Sequence, residues 1–341
     1  MGRRLLLGTL AVAVLAGIGL PPSVAAGNDA APVMSVSGAG GGRLGPEWKP
    51  FDGDPVRFEL DATATEPSKP SGTFHVVHRK PDGRLLADFR GRITSLVAID
   101  EVAVVTGVID AADHPGLPLE MVGKPVGFTV YDGGRQDRIG WMWGFFGAPV
   151  DPLQGTAPNF VLTEGGFRVH GVRHPSEAAR AGTTVAVKAA SDGGTTVAAA
   201  LGGPDAARTG MLRFELAAHV PAGGNPTQVQ GHFRFAERGT SSTEVEGQLT
   251  CLATGGPVAM TTGVVTRSTD PSRVGKPVSF ALKDGRIDRI GWLWSWSDHP
   301  APIADCRSTV PFYSPRWGGV VVRSEKELGR PLGRGCEMLA C

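Results

Sequence analysis

The residues of this chain whose type and spacing could do chemistry are tryptophan, aspartate, histidine and cysteine. The tryptophans are the most distinctive, because residues 137–143 read DRIGWMW and residues 288–294 read DRIGWLW. Alternate residues of a β-strand share one face, so each segment predicts a row of aromatic rings on a single face. The two rows consist of five tryptophans: Trp141, Trp143, Trp292, Trp294 and Trp296.

Such a row fits two kinds of ligand site and one structural role. Exposed rings would form a stacking platform for sugars, and rings lining a cavity would hold a small ligand. Rings that point inward would instead fill the core of a small barrel, each burying roughly 150–250 Å². We favour the core interpretation, because each row begins with isoleucine and the opposite face carries mostly small residues. The direction in which the tryptophans point therefore decides between binding and packing.

Aspartates next to the tryptophan segments could gather oxygen ligands around a calcium ion. Asp132 and Asp137 lie in one glycine-containing turn, and Asp284 and Asp288 lie in the other. Neither turn matches the twelve-residue calcium loop, and Asp-Gly is a common hairpin turn. The second aspartate of each turn precedes an arginine, so a cross-strand ion pair is an adequate explanation. We therefore predict no metal site and no cofactor.

The histidines do not form a recognisable catalytic or metal-binding motif. His75 and His78 would face opposite sides of a strand, so they could share a metal only across a bulge. The sequence contains no GxSxG elbow, HExxH helix or phosphate-binding loop. A catalytic triad needs no fixed spacing, which keeps a secreted hydrolase as an alternative. The two halves share no matched histidine, serine and acid set, so we predict a non-enzymatic protein.

The elements that must position these residues are predicted to be β-strands. The chain has 49 glycines and 27 prolines, and its short segments alternate apolar and polar residues between turn signals. Phe58 and Leu60 would point to one side of a strand, and Arg57 and Glu59 to the other. About eight such strands form a meander, which must close into a small barrel or a two-sheet sandwich to cover its edges. We predict an all-β fold and favour the barrel.

The two halves of the chain match block by block. Residues 56–60 (VRFEL) match 212–216 (LRFEL), and residues 122–126 (VGKPV) match 274–278 (VGKPV). The order of the blocks never changes, which predicts a tandem duplication of a whole β-unit. The predicted segments are a signal peptide (1–26), unit one (33–172), a linker (173–182), unit two (183–324) and a C-terminal tail (325–341).

The N-terminus predicts export. Arg3 and Arg4 precede an apolar run at 5–20, and small residues follow up to Ala26, as in a cleavable secretory signal. Removing residues 1–26 leaves 32 basic and 33 acidic side chains, which gives no general attraction to nucleic acid or anionic membranes. We predict a secreted, extracellular bacterial protein with no membrane span after cleavage. Its partner is unknown, and a cell-envelope polymer or another secreted protein is the expected kind.

A set of blocks in unit two resembles a known family. Residues 247–252 read GQLTCL, residues 274–278 read VGKPV, and Cys306 lies in a loop before 318–322 (GGVVV). Together they resemble secreted bacterial β-repeat modules of the post-COAP type, present here in two copies. The resemblance implies an extracellular protein with no agreed biochemical activity and no catalytic residues.

The four cysteines of a secreted chain are expected to pair, and four allow three connectivities. The resemblance implies a disulfide between Cys251 and Cys306. This pairing leaves Cys336 and Cys341 to close a small C-terminal loop. Unit one departs from the family pattern, because Ser95 stands at the position of Cys251 and the later loop has no cysteine.

Overall fold

The computed structural model describes residues 33–172, 192–205, 210–239, 242–297 and 302–324. Within these ranges nearly all regular structure is β-strand, arranged in two antiparallel sheets, so the all-β prediction is confirmed. The predicted signal peptide, the linker 173–182, the tail 325–341 and its cysteines Cys336 and Cys341 lie outside the described residues.

The first sheet is a nine-stranded meander in which the last strand returns to pair with the first. Its strands are β1 (Met34–Arg43), β2 (Pro55–Ala64), β3 (Ser71–Arg79), β4 (Leu85–Ile99), β5 (Val102–Asp113), β6 (Pro125–Tyr131), β7 (Arg138–Trp143), β8 (Phe160–Val161) and β9 (Glu164–His170). The spatial order is β8-β7-β6-β5-β4-β3-β2-β1-β9. Phe58 and Leu60 are buried while Arg57 is exposed, as the alternation in β2 predicts.

The second sheet has eight strands in the corresponding order. They are β10 (Thr195–Asp205), β11 (Gly210–Val220), β12 (Gln230–Arg238), β13 (Thr243–Gly255), β14 (Val258–Ser268), β15 (Pro277–Lys283), β16 (Arg289–Trp294) and β17 (Trp317–Arg323). The order β16-β15-β14-β13-β12-β11-β10-β17 again brings the last strand beside the first. Four short 3₁₀ helices complete the described structure: Pro46–Trp48, Gly144–Phe146, Pro226–Gln228 and Pro271–Arg273. Each sheet curls into a half-barrel.

Aspartate side chains bridge the open seam of the first sheet. The Asp137 carboxylate accepts hydrogen bonds from the backbone N–H of Gly133, at 2.9 Å, and of Phe167 in β9, at 2.7 Å. Asp132 accepts a further bond from the N–H of Val169, at 3.2 Å. These carboxylates take the place of a neighbouring strand, because they satisfy N–H groups along the second edge of β9.

The second sheet uses the matching aspartates in the same way. Asp288 accepts from the N–H of Gly285 at 3.0 Å and of Val320 at 2.9 Å, and Asp284 accepts from Val322 at 3.0 Å. The aspartates weighed as calcium ligands therefore bind backbone N–H groups of β9 and β17. No group of side chains suited to a metal ion occurs among the described residues.

The two sheets are joined by a shared apolar core and by a backbone bridge. Cys251, Met260 and Val310 of unit two pack in the same buried cluster as the core of unit one. Gly155 and Ser308 exchange two backbone hydrogen bonds, with N···O distances of 2.8 and 3.0 Å. The outer faces of the sheets are thus partly buried where the units meet.

Buried charges also connect the units. Arg289 is 1% exposed, and its guanidinium makes a two-pronged contact with the Asp100 carboxylate, with Nη2 3.1 Å from Oδ1. Lys283, also buried, pairs with Glu101 in the same turn of unit one. The sequence predicted a cross-strand partner for Arg289. Its partner instead lies in the other unit, 189 residues away along the chain.

Candidate functional site

Trp141 and Trp143 of unit one are half-buried and belong to a stacked aromatic cluster. Trp141 stacks on Trp48 with ring centroids 4.6 Å apart, and it lies 4.9 Å from Phe58. Trp143 stacks on Trp141 at 6.1 Å and on Phe145 at 5.7 Å. The faces of these rings are therefore engaged by other rings of the same unit.

Unit two has a similar cluster. Trp292 lies 4.7 Å from Phe214, and Trp294 stacks on Trp296 at 5.1 Å with an interplanar angle of 15°. The guanidinium of Arg273 lies over the Trp296 ring, 5.3 Å from its centroid. The packing of both rows supports the core interpretation over a flat sugar-binding platform, because stacked faces leave little area for a sugar.

The repeated glycine of the two tryptophan segments is explained by a close backbone approach. A Cβ atom on Gly140 would lie 2.2 Å from the carbonyl oxygen of Ala157. A Cβ atom on Gly291 would lie 2.2 Å from that of Val310. In each unit the loop that follows the tryptophan strand crosses its outer face, so only glycine fits there. The sequence alone did not indicate that a loop covers this outer face.

We expect Gly140→Ala and Gly291→Ala each to lower the free energy of unfolding by about 1–3 kcal/mol, because the methyl group must displace backbone. Urea denaturation followed by tryptophan fluorescence measures the loss. Gly285→Ala is the control, since its Cβ would lie no closer than 3.5 Å to a neighbouring atom. Equal midpoints for all three variants would contradict the assigned role of the motif glycine.

The disulfide implied by the family resemblance is present. Cys251 of β13 is bonded to Cys306, with Cα atoms 5.1 Å apart. Unit one carries Ser95 and Leu153 at the matching places, and the N–H of Leu153 lies 3.4 Å from the Ser95 hydroxyl. Leu153 and Cys306 share a left-handed backbone conformation, with φ of 66° and 54°. The same two positions are therefore joined by a disulfide in unit two and by a hydrogen bond in unit one.

An aromatic cleft opens at one end of unit one. Its volume is about 40 Å³, and its wall includes Trp48, Phe51, Val76, Phe89 and Trp143. One water molecule needs roughly 10–15 Å³, so the cleft has room for only a few non-hydrogen atoms. A drug-sized ligand needs roughly 300–1,000 Å³, so this aromatic cleft is too small to hold one as it stands.

A histidine lines this cleft and contacts a buried acid outside its wall. Asp54 is 2% exposed, and its Oδ2 lies 2.9 Å from Nε2 of His78 and 3.3 Å from Nζ of Lys80. Burial lowers the pKa of His78, against the opposing effect of the Asp54 carboxylate. In the neutral ring, Nε2–H donates to Asp54 and Nδ1 is left as an acceptor. His78 lines the cleft together with the aromatic rings.

Trp48 lines the same cleft and carries a hydrogen-bond donor. Its indole Nε1–H is buried and has no hydrogen-bond partner among the described residues. A buried donor without a partner costs about 1–3 kcal/mol. Such a cost is justified where a ligand or a water molecule supplies the missing acceptor. Sequence reasoning missed Trp48, Asp54 and His78 as a group, because they come from different elements.

No family model, curated protein or solved structure matches the chain. The resemblance to post-COAP modules therefore rests on the sequence blocks alone. None of the described residues builds an apolar helix of the length that a membrane crossing requires.

Two other histidines contact carboxylates. In His219, Nε2 lies 3.0 Å from Asp192, and Nδ1 lies 3.1 Å from the carbonyl oxygen of Thr195 and 3.3 Å from the Thr196 hydroxyl. In a neutral ring that donates from Nε2 to Asp192, Nδ1 is an acceptor for the Thr196 hydroxyl. His75 lies 2.8 Å from Asp88 on a partly exposed surface.

We expect unit one to lose stability as the pH falls below about 6.5, the ordinary pKa of histidine. The folded-state pKa of His78 is lowered, so its contribution is fully present above pH 6.5 and is lost as the pH falls through that lower value. The His78→Gln variant should therefore show a flatter dependence of the urea midpoint on pH between about 7.5 and 5. Parallel pH profiles for wild type and variant would contradict this assignment.

Proposed function

We propose that this chain is a secreted, non-enzymatic protein of two tandem β-units with a binding, adhesive or structural role at or outside the cell envelope. The junction between the units carries this proposal, because shared core, backbone bridge and buried ion pairs join the two sheets. A rigid pair of units presents its surfaces at a constant separation, which favours simultaneous contact with a repeating polymer.

Two further observations support the proposal. The Cys251–Cys306 disulfide fits an oxidising compartment, where structural disulfides persist. The corresponding strand orders of the two sheets, with the matching sequence blocks, support a tandem duplication. Export itself follows from the N-terminal signal pattern.

The experiment is to express the full chain in a bacterial host and to follow where it accumulates. We expect a mature protein that begins at Gly27, leaves the cytoplasm and sediments with purified cell-envelope fragments. The matched comparison is the Arg289→Ala variant, which weakens the junction by removing the buried partner of Asp100 and should sediment less strongly. Retention in the cytoplasm with an intact N-terminus would overturn the assignment. So would turnover of an ester, peptide or glycoside that His78→Gln or His219→Gln abolishes.

The second candidate is a small-ligand or carbohydrate-binding protein. The aromatic cleft of unit one favours a small ligand, because its walls combine apolar side chains with His78, which contacts Asp54, and with Trp48, whose N–H has no partner among the described residues. Carbohydrate stacking receives less support, since the tryptophan faces are stacked on one another.

A further inference from the structure

The cleft of unit one exists because a small residue replaces an aromatic one. In unit two, Phe235 on β12 lies 4.9 Å from Phe214 and 5.1 Å from Trp294, ring centroid to ring centroid. Val76 holds the same place on β3, where it pairs with Phe58 as Phe235 pairs with Phe214. Val76 also lines the cleft. The space that a phenyl ring fills in unit two is therefore partly empty in unit one.

A loop found only in unit one covers this space. The β1–β2 connection contributes Trp48 and Phe51 to the cleft, and its ends are tied by bonds between Leu44 and Asp54 at 2.9 Å and between Gly53 and Leu44 at 2.7 Å. The matching connection of unit two has only the four residues 206–209, of which none is aromatic. We call residues 44–54 the roof loop.

The pair formed by Asp54, at the end of the roof loop, and His78 has no counterpart in unit two. Gly210 stands at the position of Asp54, and Glu237 stands at the position of His78, facing Leu212 as His78 faces Val56. Unit two forms its sheet without the pair. The buried Asp54 carboxylate costs solvation energy, and its contacts with His78 and Lys80 offset part of that cost.

We propose that the cleft of unit one binds a small aromatic molecule that carries a hydroxyl or ring N–H group, such as a phenol or an indole. The ring of the ligand takes the place that the Phe235 ring occupies in unit two. The polar group of the ligand accepts a hydrogen bond from the Trp48 N–H, or it donates one to Nδ1 of His78. This inference rests on the small-ligand candidate above and names its ligand class.

Entry of a ring requires the roof loop to move outward, because the cleft of about 40 Å³ is smaller than an aromatic ring. The roof loop is held by bonds at its own ends, and Lys80 lies over the Phe51 ring, 5.0 Å from its centroid. Ordering costs of this kind reduce affinity, so we expect a dissociation constant on the order of 0.1–1 mM for a ligand as small as phenol.

The test is a titration of the mature chain with phenol, observed through the indole N–H signals in NMR spectra. The Trp48 signal is assigned with Trp48→Phe, and benzene serves as the probe that lacks the polar group. We expect a saturable shift of the Trp48 signal with phenol. The His78→Phe variant should lose most of the preference for phenol over benzene.

Val76→Phe is the decisive variant, because it places in unit one the residue that unit two already accommodates. It should weaken phenol binding by about tenfold or more. Phe235→Val, the reverse substitution at the matching position of unit two, should leave the phenol-induced shift of the Trp48 signal unchanged. If Val76→Phe fails to fold, Ala87→Leu blocks the same cleft, since Ala87 also lines it.

The outcomes separate this inference from the envelope role. No saturable shift up to about 10 mM phenol, or wild-type binding by Val76→Phe, overturns the cleft site. If such a protein still sediments with envelope fragments, the envelope role stands alone. Phenol binding without sedimentation overturns the envelope role and keeps the cleft site. Binding reported only by tryptophans of unit two would place the ligand elsewhere and overturn the inference.

Discussion

Arg289→Ala is expected to lower the free energy of unfolding by about 3 kcal/mol, because it leaves the Asp100 carboxylate with only the more distant Lys283, 3.8 Å away, as a charged partner. Arg289 is 1% exposed and contacts Asp100 through two nitrogens. Removing one member of such a pair is more costly than removing both, since the remaining charge is poorly solvated. Urea denaturation measured by tryptophan fluorescence reports the change.

The Asp100→Ala/Arg289→Met double variant is the first control, and it should recover most of the loss. Arg57→Ala is the second, because the Arg57–Glu59 ion pair is solvent-exposed. We expect a smaller loss for Arg57→Ala than for Arg289→Ala. A loss below about 1 kcal/mol for Arg289→Ala would show that the pair contributes little to the junction.

The second large effect concerns the disulfide. Cys251→Ser combined with Cys306→Leu gives unit two the residues that unit one uses at these positions, and it should cost about 4 kcal/mol. The bond links residues separated by 55 positions, so its removal restores much chain entropy to the unfolded state. Cys251 and Cys306 lie in the core shared by the two units, so the junction should weaken together with unit two. Thermal unfolding of both proteins under oxidising conditions measures the loss.

The reciprocal exchange is a matched control. Ser95→Cys with Leu153→Cys should form a second disulfide and stabilise unit one by about 2–4 kcal/mol. The left-handed conformation of Leu153 already matches that of Cys306. The gain should disappear under reducing conditions. Peptide mass mapping that found Cys251 bonded to another cysteine, or no link between positions 95 and 153, would contradict the equivalence of the two sites.

Local sequence patterns predicted the strands because their cause is local. In β2 the alternation of Arg57, Phe58, Glu59 and Leu60 specifies which side faces the core, and the structure follows it. The tryptophan rows were predicted to pack inward because each begins with isoleucine and has small residues on its opposite face, and their rings lie half-buried against the two cores. A period of two residues encodes the face on which a side chain lies.

Partners from distant parts of the chain could not be predicted in this way. Asp137 was weighed as a calcium ligand or an ion-pair member, yet it binds the backbone of β9, 30 residues further on. Arg289 pairs across 189 residues with Asp100. The glycine in each tryptophan segment has its explanation in a loop that crosses the strand. The residues adjacent to Asp137, Arg289 or the motif glycine in the sequence do not indicate which distant residue each one contacts.

By itself, the sequence determined the all-β class, the inward aromatic rows and the repeated blocks, because hydrophobic alternation and turn residues act over a few positions. Only the tertiary structure decided what closes the seams, what joins the units and where a cleft remains. Those features depend on which surfaces meet after folding. The exchange of Phe235 for Val76 shows the difference, since both residues suit a buried strand and only their three-dimensional neighbours distinguish a filled core from an open one.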